Sequence, residues 1–396
     1  MNLNERLLQL KEHAAVNKIK VMIIGLGSVG NYLLDYLLCS NDPALEIIVA
    51  GRSRAKMESD TNIVKIATLI RGLNKSMITI ADGVDLERTE TISECLQKYG
   101  PDIVVNTSRV YAGLKYGSIS WANIRAYGIW TPLSVKYIRN IMQAYENANS
   151  AAIVINTSYS DATIPWLKSA GIAYPDFGSG NLNHLLPRIK FAISEMYNIQ
   201  DFWNIKVEMA TAHFHDVVIS KEGHTEGIEQ LLTIEYDGSP IICSQEEVLS
   251  RCNIPTPVDA KRNMMNASSN YDIIKCLLKA VREGGKEKFF SPGAMGEIGG
   301  YPVLIDCSSE FPQALIDESK FTLGEMRQKN RDSIYFDGVE DIRDGKLIYT
   351  NELIDKTMQA FGVKLPKEVC FHEIDETAEW IVANIIQPFQ EKTGAR

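Results

Sequence analysis

The feature that most constrains the fold is a glycine-rich turn near the N-terminus. The apolar run at residues 18–24 leads into Gly25-Leu26-Gly27-Ser28-Val29-Gly30, and leucine and tyrosine side chains then recur at helical spacing up to residue 38. A second apolar run follows at residues 45–50. This order predicts a strand, a glycine turn, a helix and a second strand, which together form the first βαβ unit of a dinucleotide-binding fold.

Each glycine of the turn would have a separate role in such a unit. Gly25 permits the tight turn, Gly27 lets the backbone approach a pyrophosphate, and Gly30 lets the helix pack closely on the strand. The pyrophosphate would bind unpaired N–H groups at the start of the helix. The alternative is a glycine-rich turn that binds no ligand. We therefore expect residues 25–30 to bind a cofactor.

The residues after the second strand distinguish between the two nicotinamide cofactors. NAD-binding units usually place Asp or Glu there, where the carboxylate accepts from the ribose 2′-hydroxyl. This chain instead has Gly51-Arg52-Ser53-Arg54 and no carboxylate before Glu58. Guanidinium groups present a planar set of donors to phosphate oxygens. The pattern predicts that Arg52, Ser53 and Arg54 bind the 2′-phosphate of NADP, with NAD as the second choice. The alternative is that the arginines only form a solvated helix start.

Later apolar runs extend the predicted sheet. Residues 103–105 precede Asn106-Thr107-Ser108, and residues 151–155 precede Asn156. Because ligands bind beyond the carboxyl ends of parallel strands, we expect Asn106, Thr107 and Ser108 to face the cofactor and Asn156 to face the substrate.

From about residue 160 the pattern of apolar residues becomes mixed. We predict an α/β fold in which residues 1–160 form a Rossmann-type doubly wound parallel sheet preceded by an N-terminal helix. Residues 161–396 are predicted to form a second, α+β substrate domain, whose C-terminal helix can pack back on the first domain.

Composition excludes several classes of protein. With 41 basic and 50 acidic residues the net charge is −9, which disfavours a nucleic-acid partner. The seven cysteines form no C-x-x-C pair, so we expect neither a disulfide framework nor a metal site. No apolar stretch reaches the roughly 18 residues that cross a bilayer, and residues 1–17 do not resemble a signal sequence. We expect a cytoplasmic homodimer that acts on a small molecule and has no membrane partner.

The segment His213-Phe214-His215-Asp216 is the best candidate for acid–base chemistry. In an extended segment residues two apart share a face, so His213 and His215 would point the same way. Histidine titrates near neutral pH, and a carboxylate such as Asp216 on its other ring nitrogen would fix the tautomer. The alternatives are two structural histidines, or a metal site completed by Asp216 or His224.

A carboxylate-bearing substrate would need an arginine, because a guanidinium binds both carboxylate oxygens. Arg188 follows the Gly-Ser-Gly turn at 178–180, close to the predicted cleft, and Arg125 precedes a long helix. We predict that Arg125 and Arg188 bind the substrate. Arg109 and Arg139 are further candidates, and each of the four has the alternative of a surface position.

From Asp102 to Asp216 the chain resembles a distant member of the malate/lactate dehydrogenase family. The resemblance includes residues 102–105, residues 152–155 with Asp161, and residues 178–183 with Arg188. In that family an Asp after the glycine turn pairs with the catalytic His. Here the matching position is Asn183, and the family's Gly-Glu-His-Gly-Asp is replaced by residues 213–216. The resemblance implies 2-hydroxy-acid chemistry, with departures at the catalytic pair.

From Lys18 to Ser108 the chain is more similar to the saccharopine dehydrogenase-like reductases. The similarity lies in residues 51–53, Asp85-Leu86 and residues 104–107. That family is commonly NADP-dependent and acts on imine or amino-acid substrates, and the resemblance implies the same cofactor and substrate class here.

Together these features predict an NADP-dependent oxidoreductase. It would transfer a hydride between the nicotinamide and a small carboxylate-bearing substrate: a 2-oxo or 2-hydroxy acid, or an imine or amino acid of the opine type. One alternative is a dinucleotide-binding sensor or scaffold without turnover. Another is an NAD-dependent non-redox lyase or glycosidase.

Overall fold

Alternating helices and strands form the first half of the chain. The computed structural model describes residues 1–111, 113–257 and 259–393. The elements of this half are, in order, α1 (Leu3–Val16), β1 (Ile19–Ile24), α2 (Ser28–Cys39), β2 (Leu45–Ala50), α3 (Arg54–Ile70), β3 (Met77–Ala81), α4 (Thr89–Tyr99), β4 (Ile103–Asn106), α5 (Gly113–Asn123), α6 (Thr131–Asn147), β5 (Ile153–Asn156), α7 (Ser160–Ser169) and β6 (Phe177–Gly178).

The six strands form one parallel sheet in the order β3-β2-β1-β4-β5-β6. At its centre Ile24 pairs with both Ala50 and Asn106, and Asn106 pairs with Asn156, so these strands end at the same edge of the sheet. The order reverses between β1 and β4, which is where a doubly wound sheet forms its ligand crevice. The predicted doubly wound α/β fold is confirmed. The sheet also continues past residue 160, the predicted boundary, because β6 pairs with β5 after the intervening helix α7.

The second half adds three small antiparallel sheets, β7-β8-β9, β10-β11-β12 and β13-β14-β15. Its elements are α8 (Leu185–Tyr197), β7 (Lys206–Ala210), α9 (His213–Glu222), β8 (Leu231–Tyr236), β9 (Ser239–Pro240), α10 (Gln245–Ser250), α11 (Asn263–Glu283), β10 (Lys286–Pro292), β11 (Gly300–Asp306), β12 (Gln313–Ile316), α12 (Leu323–Phe336), β13 (Val339–Arg343), β14 (Lys346–Tyr349), α13 (Asn351–Phe361), β15 (Glu368–Cys370), α14 (Ile374–Ile381) and α15 (Gln387–Thr393).

Both faces of the parallel sheet are buried. On β1, Met22 and Ile24 enter a hydrophobic cluster with α6 and α14, whereas Val21 and Ile23 enter a second cluster with α2 and α11. Successive side chains of a strand point to opposite faces, so the continuous apolar run of β1 serves both clusters. Helix α14, near the C-terminus, therefore packs on the first half through α6. Among the described helices, none is both long and apolar enough to span a bilayer.

Candidate active site

A cavity of about 770 Å³ lies beyond the carboxyl ends of β1, β2 and β4. The glycine turn forms its floor, and residues after β2 and β4 form two of its sides. Residues 84–86 after β3 and Tyr137 of α6 also line it. One wall comes from the second half of the chain: His184, Arg262, Asn263, Met265 and Asn266. The cavity therefore occupies the crevice at the point where the strand order reverses, which is the position that the sequence predicts.

The geometry of the three glycines fits the roles predicted for them. Gly25 has φ +92°, and a Cβ there would lie 2.0 Å from the Ser108 hydroxyl oxygen. A Cβ on Gly30 would lie 2.2 Å from the Gly25 carbonyl oxygen, so α2 can approach the strand only with glycine here. A Cβ on Gly27 would meet nothing within 4 Å, and no side chain caps the first turn of α2. The turn thus forms an open cradle of backbone N–H groups that fits a pyrophosphate.

The predicted phosphate-binding residues after β2 separate into two groups. Arg52 and Ser53 line the cavity, together with Lys56. Arg54 is not among the lining residues, because its exposed guanidinium forms ion pairs with Glu58 (3.1 Å) and Asp82 (2.9 Å). We therefore do not include Arg54 in the proposed site.

The polar residues that end β4 and β5 also differ in their surroundings. Thr107 and Ser108 line the cavity, as predicted, and their hydroxyls donate to the carbonyls of Gly25 and Ile24. Asn106 is fully buried, and its amide donates to the Asn156 side-chain oxygen at 2.9 Å.

Asn156 is equally buried, and its own amide donates to Ser158, Ser160 and Thr163. Both asparagines thus tie the strand ends together rather than facing a ligand.

A second cavity of about 110 Å³ adjoins the first and shares Arg109 and Asn266 with it. Its full lining is Arg109, Tyr127, Trp130, Ser134, Thr157, Tyr159, Ser179, Gly180, Asn181, His213 and Asn266.

His213 is the histidine of the predicted pair that lines this small cavity. Its Nδ1 lies 2.7 Å from Oδ2 of Asp337, a fully buried carboxylate just after α12. The same oxygen accepts the Tyr159 hydroxyl at 3.0 Å, and the other oxygen accepts the Tyr127 backbone N–H at 3.0 Å. The rings of Tyr127 and Tyr159 contact the imidazole edge to face. Asp337 therefore fixes the orientation of His213.

Two opposing effects set the protonation of His213. Burial, the largest single effect, would lower its pKa, but the charge and hydrogen bond of Asp337, together with the charges of Asp161 and Asp216, outweigh burial, and the pKa is raised above the ordinary 6.5. Nδ1 carries the hydrogen that Asp337 accepts. Nε2 forms no hydrogen bond within the described part of the chain, so it is the nitrogen that can exchange a proton with a ligand.

The prediction of an extended segment at 213–216 is wrong. His213 is the first residue of α9, and its backbone N–H donates to the buried Asp161 carboxylate at 3.0 Å. This cap comes from a distant element, so four residues of sequence could not distinguish a helix start from a strand. Because the segment is helical, His213 and His215 do not share a face.

His215 occupies a closed environment behind the site. Its Nδ1 lies 2.8 Å from the Ser333 hydroxyl and its Nε2 lies 3.0 Å from the Thr225 carbonyl oxygen. Burial lowers its pKa to about 4, so it is neutral at neutral pH. Its position fits a structural role.

Asp216 is buried and lines neither cavity, and one of its carboxylate oxygens has no hydrogen-bond partner among the described residues. Burial raises its pKa to about 6. Asp337, rather than Asp216, is the carboxylate that contacts His213.

The arginines predicted to bind substrate lie away from both cavities. Arg188 is buried and donates to the carbonyl oxygens of Cys252 (3.1 Å) and Ile254 (2.8 Å). Arg125 lies near the surface and pairs with Glu222 (2.5 Å) and Glu226 (2.6 Å).

Arg109 is the candidate that the structure brings to the site. It lines both cavities and donates to the Thr157 carbonyl oxygen at 3.0 Å.

The possible metal ligands of this region fall into two groups. Glu222, His224 and Glu226 approach one another closely on the surface, but the two glutamates already pair with Arg125. Neither His213 nor His215 belongs to a group of metal-ligand geometry among the described residues.

Sequence reasoning missed Asp337 and Tyr159. Asp337 lies 124 residues from its histidine, and no spacing in the sequence connects the two. Asn183, which matches the family's Asp, instead donates to Ser269 (2.7 Å) and to the Phe290 carbonyl (2.8 Å). The carboxylate partner of the histidine thus comes from another element than the resemblance implies.

Comparison with known proteins identifies the fold. No family model and no curated protein matches the sequence. Among solved structures, the lactate dehydrogenase of Cryptosporidium parvum, complexed with lactic acid and β-nicotinamide adenine dinucleotide, aligns with 81% of this chain and 98% of its own, at 12% identity and a TM-score of 0.55. The chain has the fold of this dehydrogenase.

Two further dehydrogenases give similar alignments. The lactate dehydrogenase of Eimeria maxima with NADH and oxamate aligns at 12% identity over 81% of this chain and 94% of its own, with a TM-score of 0.52. The malate dehydrogenase of Cryptosporidium parvum aligns at 12% identity over 80% and 97%, with a TM-score of 0.51. The predicted distant resemblance to this family is confirmed for the fold. The similarity to saccharopine dehydrogenase-like reductases stays a prediction.

Proposed function

We propose that this chain is a nicotinamide-dependent oxidoreductase that acts on a small carboxylate-bearing substrate. The observation that carries the proposal is the His213–Asp337 pair in a small cavity that opens beside the glycine-turn cavity and shares Arg109 with it. A hydride-transfer enzyme needs a dinucleotide site next to a group that exchanges a proton with the substrate, and these two cavities supply both. The dehydrogenase fold supports the same conclusion.

In this proposal His213 acts as the acid and base. The bound cofactor supplies or accepts the hydride. In the reducing direction protonated His213 donates the Nε2 proton to the carbonyl oxygen or imine nitrogen of the substrate, and in the oxidising direction neutral Nε2 accepts it. Asp337 stabilises the imidazolium and holds Nδ1–H, and Tyr159 donates to the same carboxylate oxygen, which keeps that carboxylate in place.

Arg109 is the residue we assign to the substrate carboxylate. It is the only Lys or Arg in the lining of the small cavity, as far as the described residues show. A second substrate carboxylate would find no second Lys or Arg in this lining, and the carboxylates of Asp161 and Asp337, which contact His213, would repel it. The site therefore favours a monocarboxylate of a few carbon atoms, either a 2-oxo or 2-hydroxy acid or the corresponding imine or amino acid.

For the cofactor we propose NADP over NAD. Arg52, Ser53 and Lys56 line the large cavity at the end of β2, and Gly51 stands where an NAD-binding unit usually has an acidic residue. Asp60 also lines this region and lies 2.6 Å from Lys56, which leaves Arg52 as the main phosphate ligand. A homodimer and a cytoplasmic location remain predictions from the sequence.

The experiment that tests the function has two steps. Thermal shift and calorimetry with NADPH and NADH measure cofactor binding, and a panel of 2-oxo acids, with and without amines, is then followed by absorbance at 340 nm. His213→Gln should bind NADPH normally and lose at least about 100-fold in kcat/KM. His224→Gln, a change at an exposed histidine, should keep full activity and is the matched control.

The alternatives give different results in the same assays. A sensor or scaffold would bind the dinucleotide without turnover of any substrate. A non-redox lyase or glycosidase would retain its cofactor and show no net change at 340 nm. Full activity in His213→Gln would contradict the acid–base assignment.

A further inference from the structure

Arg262 lies on the wall of the large cavity that faces the glycine turn. It ends the short helical turn Ala260–Arg262, directly before α11, and it belongs to the cavity lining. The next residue, Asn263, donates from its amide to the Ser28 hydroxyl at 2.5 Å. Ser28 is the first residue of α2, so the start of α11 and the cradle for a pyrophosphate are in direct contact.

The guanidinium of Arg262 forms no hydrogen bond or ion pair among the residues that the structure describes. Its charge does act on the buried carboxyl of Asp216, where burial raises the pKa and the charge of Arg262 is among those that oppose the rise. Other cationic side chains of this half form direct ion pairs, as Arg327 does with Glu297. A guanidinium that lines a cavity without a direct ion pair is a suitable anion ligand.

The neighbours of Arg262 respond to its positive charge. Burial and the charge of Arg262 lower the pKa of His184 to about 4, and they also lower the pKa of Lys221. His184 on the same wall is thus neutral at neutral pH, and its buried Nε2 has no partner among the described residues. Arg262 therefore carries the positive charge of this wall.

We propose that Arg262 is a second ligand of the cofactor pyrophosphate and binds it from the side opposite the glycine turn. The inference rests on the proposed dinucleotide site. The backbone N–H groups of residues 27–30 would bind one side of the pyrophosphate, and the guanidinium would bind the other. The Asn263–Ser28 contact holds the two sides at a set distance, so both halves of the chain contribute to one phosphate site.

The test measures binding to the full chain rather than turnover. Arg262→Gln, Arg262→Lys and wild type are titrated by calorimetry with NADH, NADPH and ADP-ribose, all of which contain the pyrophosphate. Loss of one charge-assisted contact should weaken all three by about 10- to 100-fold, and lysine should restore part of the loss. Lys261→Gln is the matched control, because Lys261 is adjacent and exposed and does not line the cavity.

Salt dependence gives a second readout. Added salt screens exposed charges, so the Kd of wild type should rise more steeply with ionic strength than that of Arg262→Gln. Thermal unfolding of each variant checks that the fold is intact.

Three outcomes would overturn the inference. Equal affinity of Arg262→Gln and wild type for NADH would show that the arginine does not contact the cofactor. A loss for NADPH alone would place it at the 2′-phosphate instead. If wild type binds none of the three compounds, both this inference and the proposed function are wrong, whereas the first two outcomes leave the proposed function intact.

Discussion

Replacing Asp337 with Asn tests the assignment of the acid–base pair most directly. Asp337 Oδ2 accepts from both His213 Nδ1 and the Tyr159 hydroxyl, and the carboxylate is fully buried. An asparagine has the same shape, but it removes the negative charge and offers only one acceptor oxygen. If its amide nitrogen faces the imidazole, it also forces the hydrogen from Nδ1 to Nε2, so Nε2 can no longer accept a proton.

The expected magnitude follows from this single contact. A hydrogen bond to a charged group contributes about 1.5–3 kcal/mol, which corresponds to a loss of roughly 10- to 150-fold in kcat/KM. Burial, which lowers the pKa of His213, would then be opposed only by the charges of Asp161 and Asp216, so the pKa should fall below its wild-type value. The pH above which the reducing reaction slows, because His213 has lost its proton, should fall together with this pKa.

The same substitution has a pH-dependent effect on stability. The folded-state pKa of His213 lies above its unfolded value, so the pair contributes its full stability below pH 6.5 and loses it as the pH rises through the folded pKa. The stability difference between wild type and Asp337→Asn should therefore be largest at pH 6 and smaller at pH 9.

Nuclear magnetic resonance of the ring nitrogens measures the His213 pKa without a known substrate. Asp332→Asn, at a half-buried position on α12, is the control and should leave the titration unchanged. An unchanged or higher His213 pKa in Asp337→Asn would refute the reasoning, because the carboxylate would then not be the group that holds the proton.

Three further substitutions test other parts of the site. Arg52→Ala should weaken NADPH binding by about 10-fold or more and leave NADH binding unchanged, whereas Arg54→Ala, outside the cavity, should affect neither in calorimetry. Gly30→Ala should lower the free energy of unfolding by about 1–3 kcal/mol because its Cβ meets the strand, whereas Gly27→Ala should keep the wild-type Tm and weaken only dinucleotide binding. Asp216→Asn should raise the free energy of unfolding by about 1–3 kcal/mol at pH 8, and by less at pH 5, in urea titrations. Burial raises the pKa of this carboxyl to about 6, so the folded state is destabilised when the carboxyl has to ionise. This destabilisation begins as the pH rises above the unfolded pKa of 3.8 and reaches its full size above pH 6. Lower stability of that variant at pH 8 would contradict this.

Local patterns were sufficient to predict where the residues of the proposed cofactor site lie. The glycine turn, the strands that end at Asn106 and Asn156, and the residues Arg52 and Ser53 are each set by a few neighbours in the chain, and the structure places them at one edge of the sheet. Which of their side chains face the cavity was less predictable. The two asparagines bind each other, because adjacent strands bring two amides within hydrogen-bond distance.

The amino-acid sequence alone determined the parallel sheet and the glycine cradle. Both depend on local features, because an apolar run or the backbone freedom of a glycine involves only a few neighbouring residues. Only the tertiary structure decided which residue we propose as the proton-exchanging group. It selected His213 over His215 by capping α9 with Asp161, and it supplied Asp337 from a helix end more than a hundred residues away. Such long-range contacts depend on how the helices and sheets pack, and no local pattern records them.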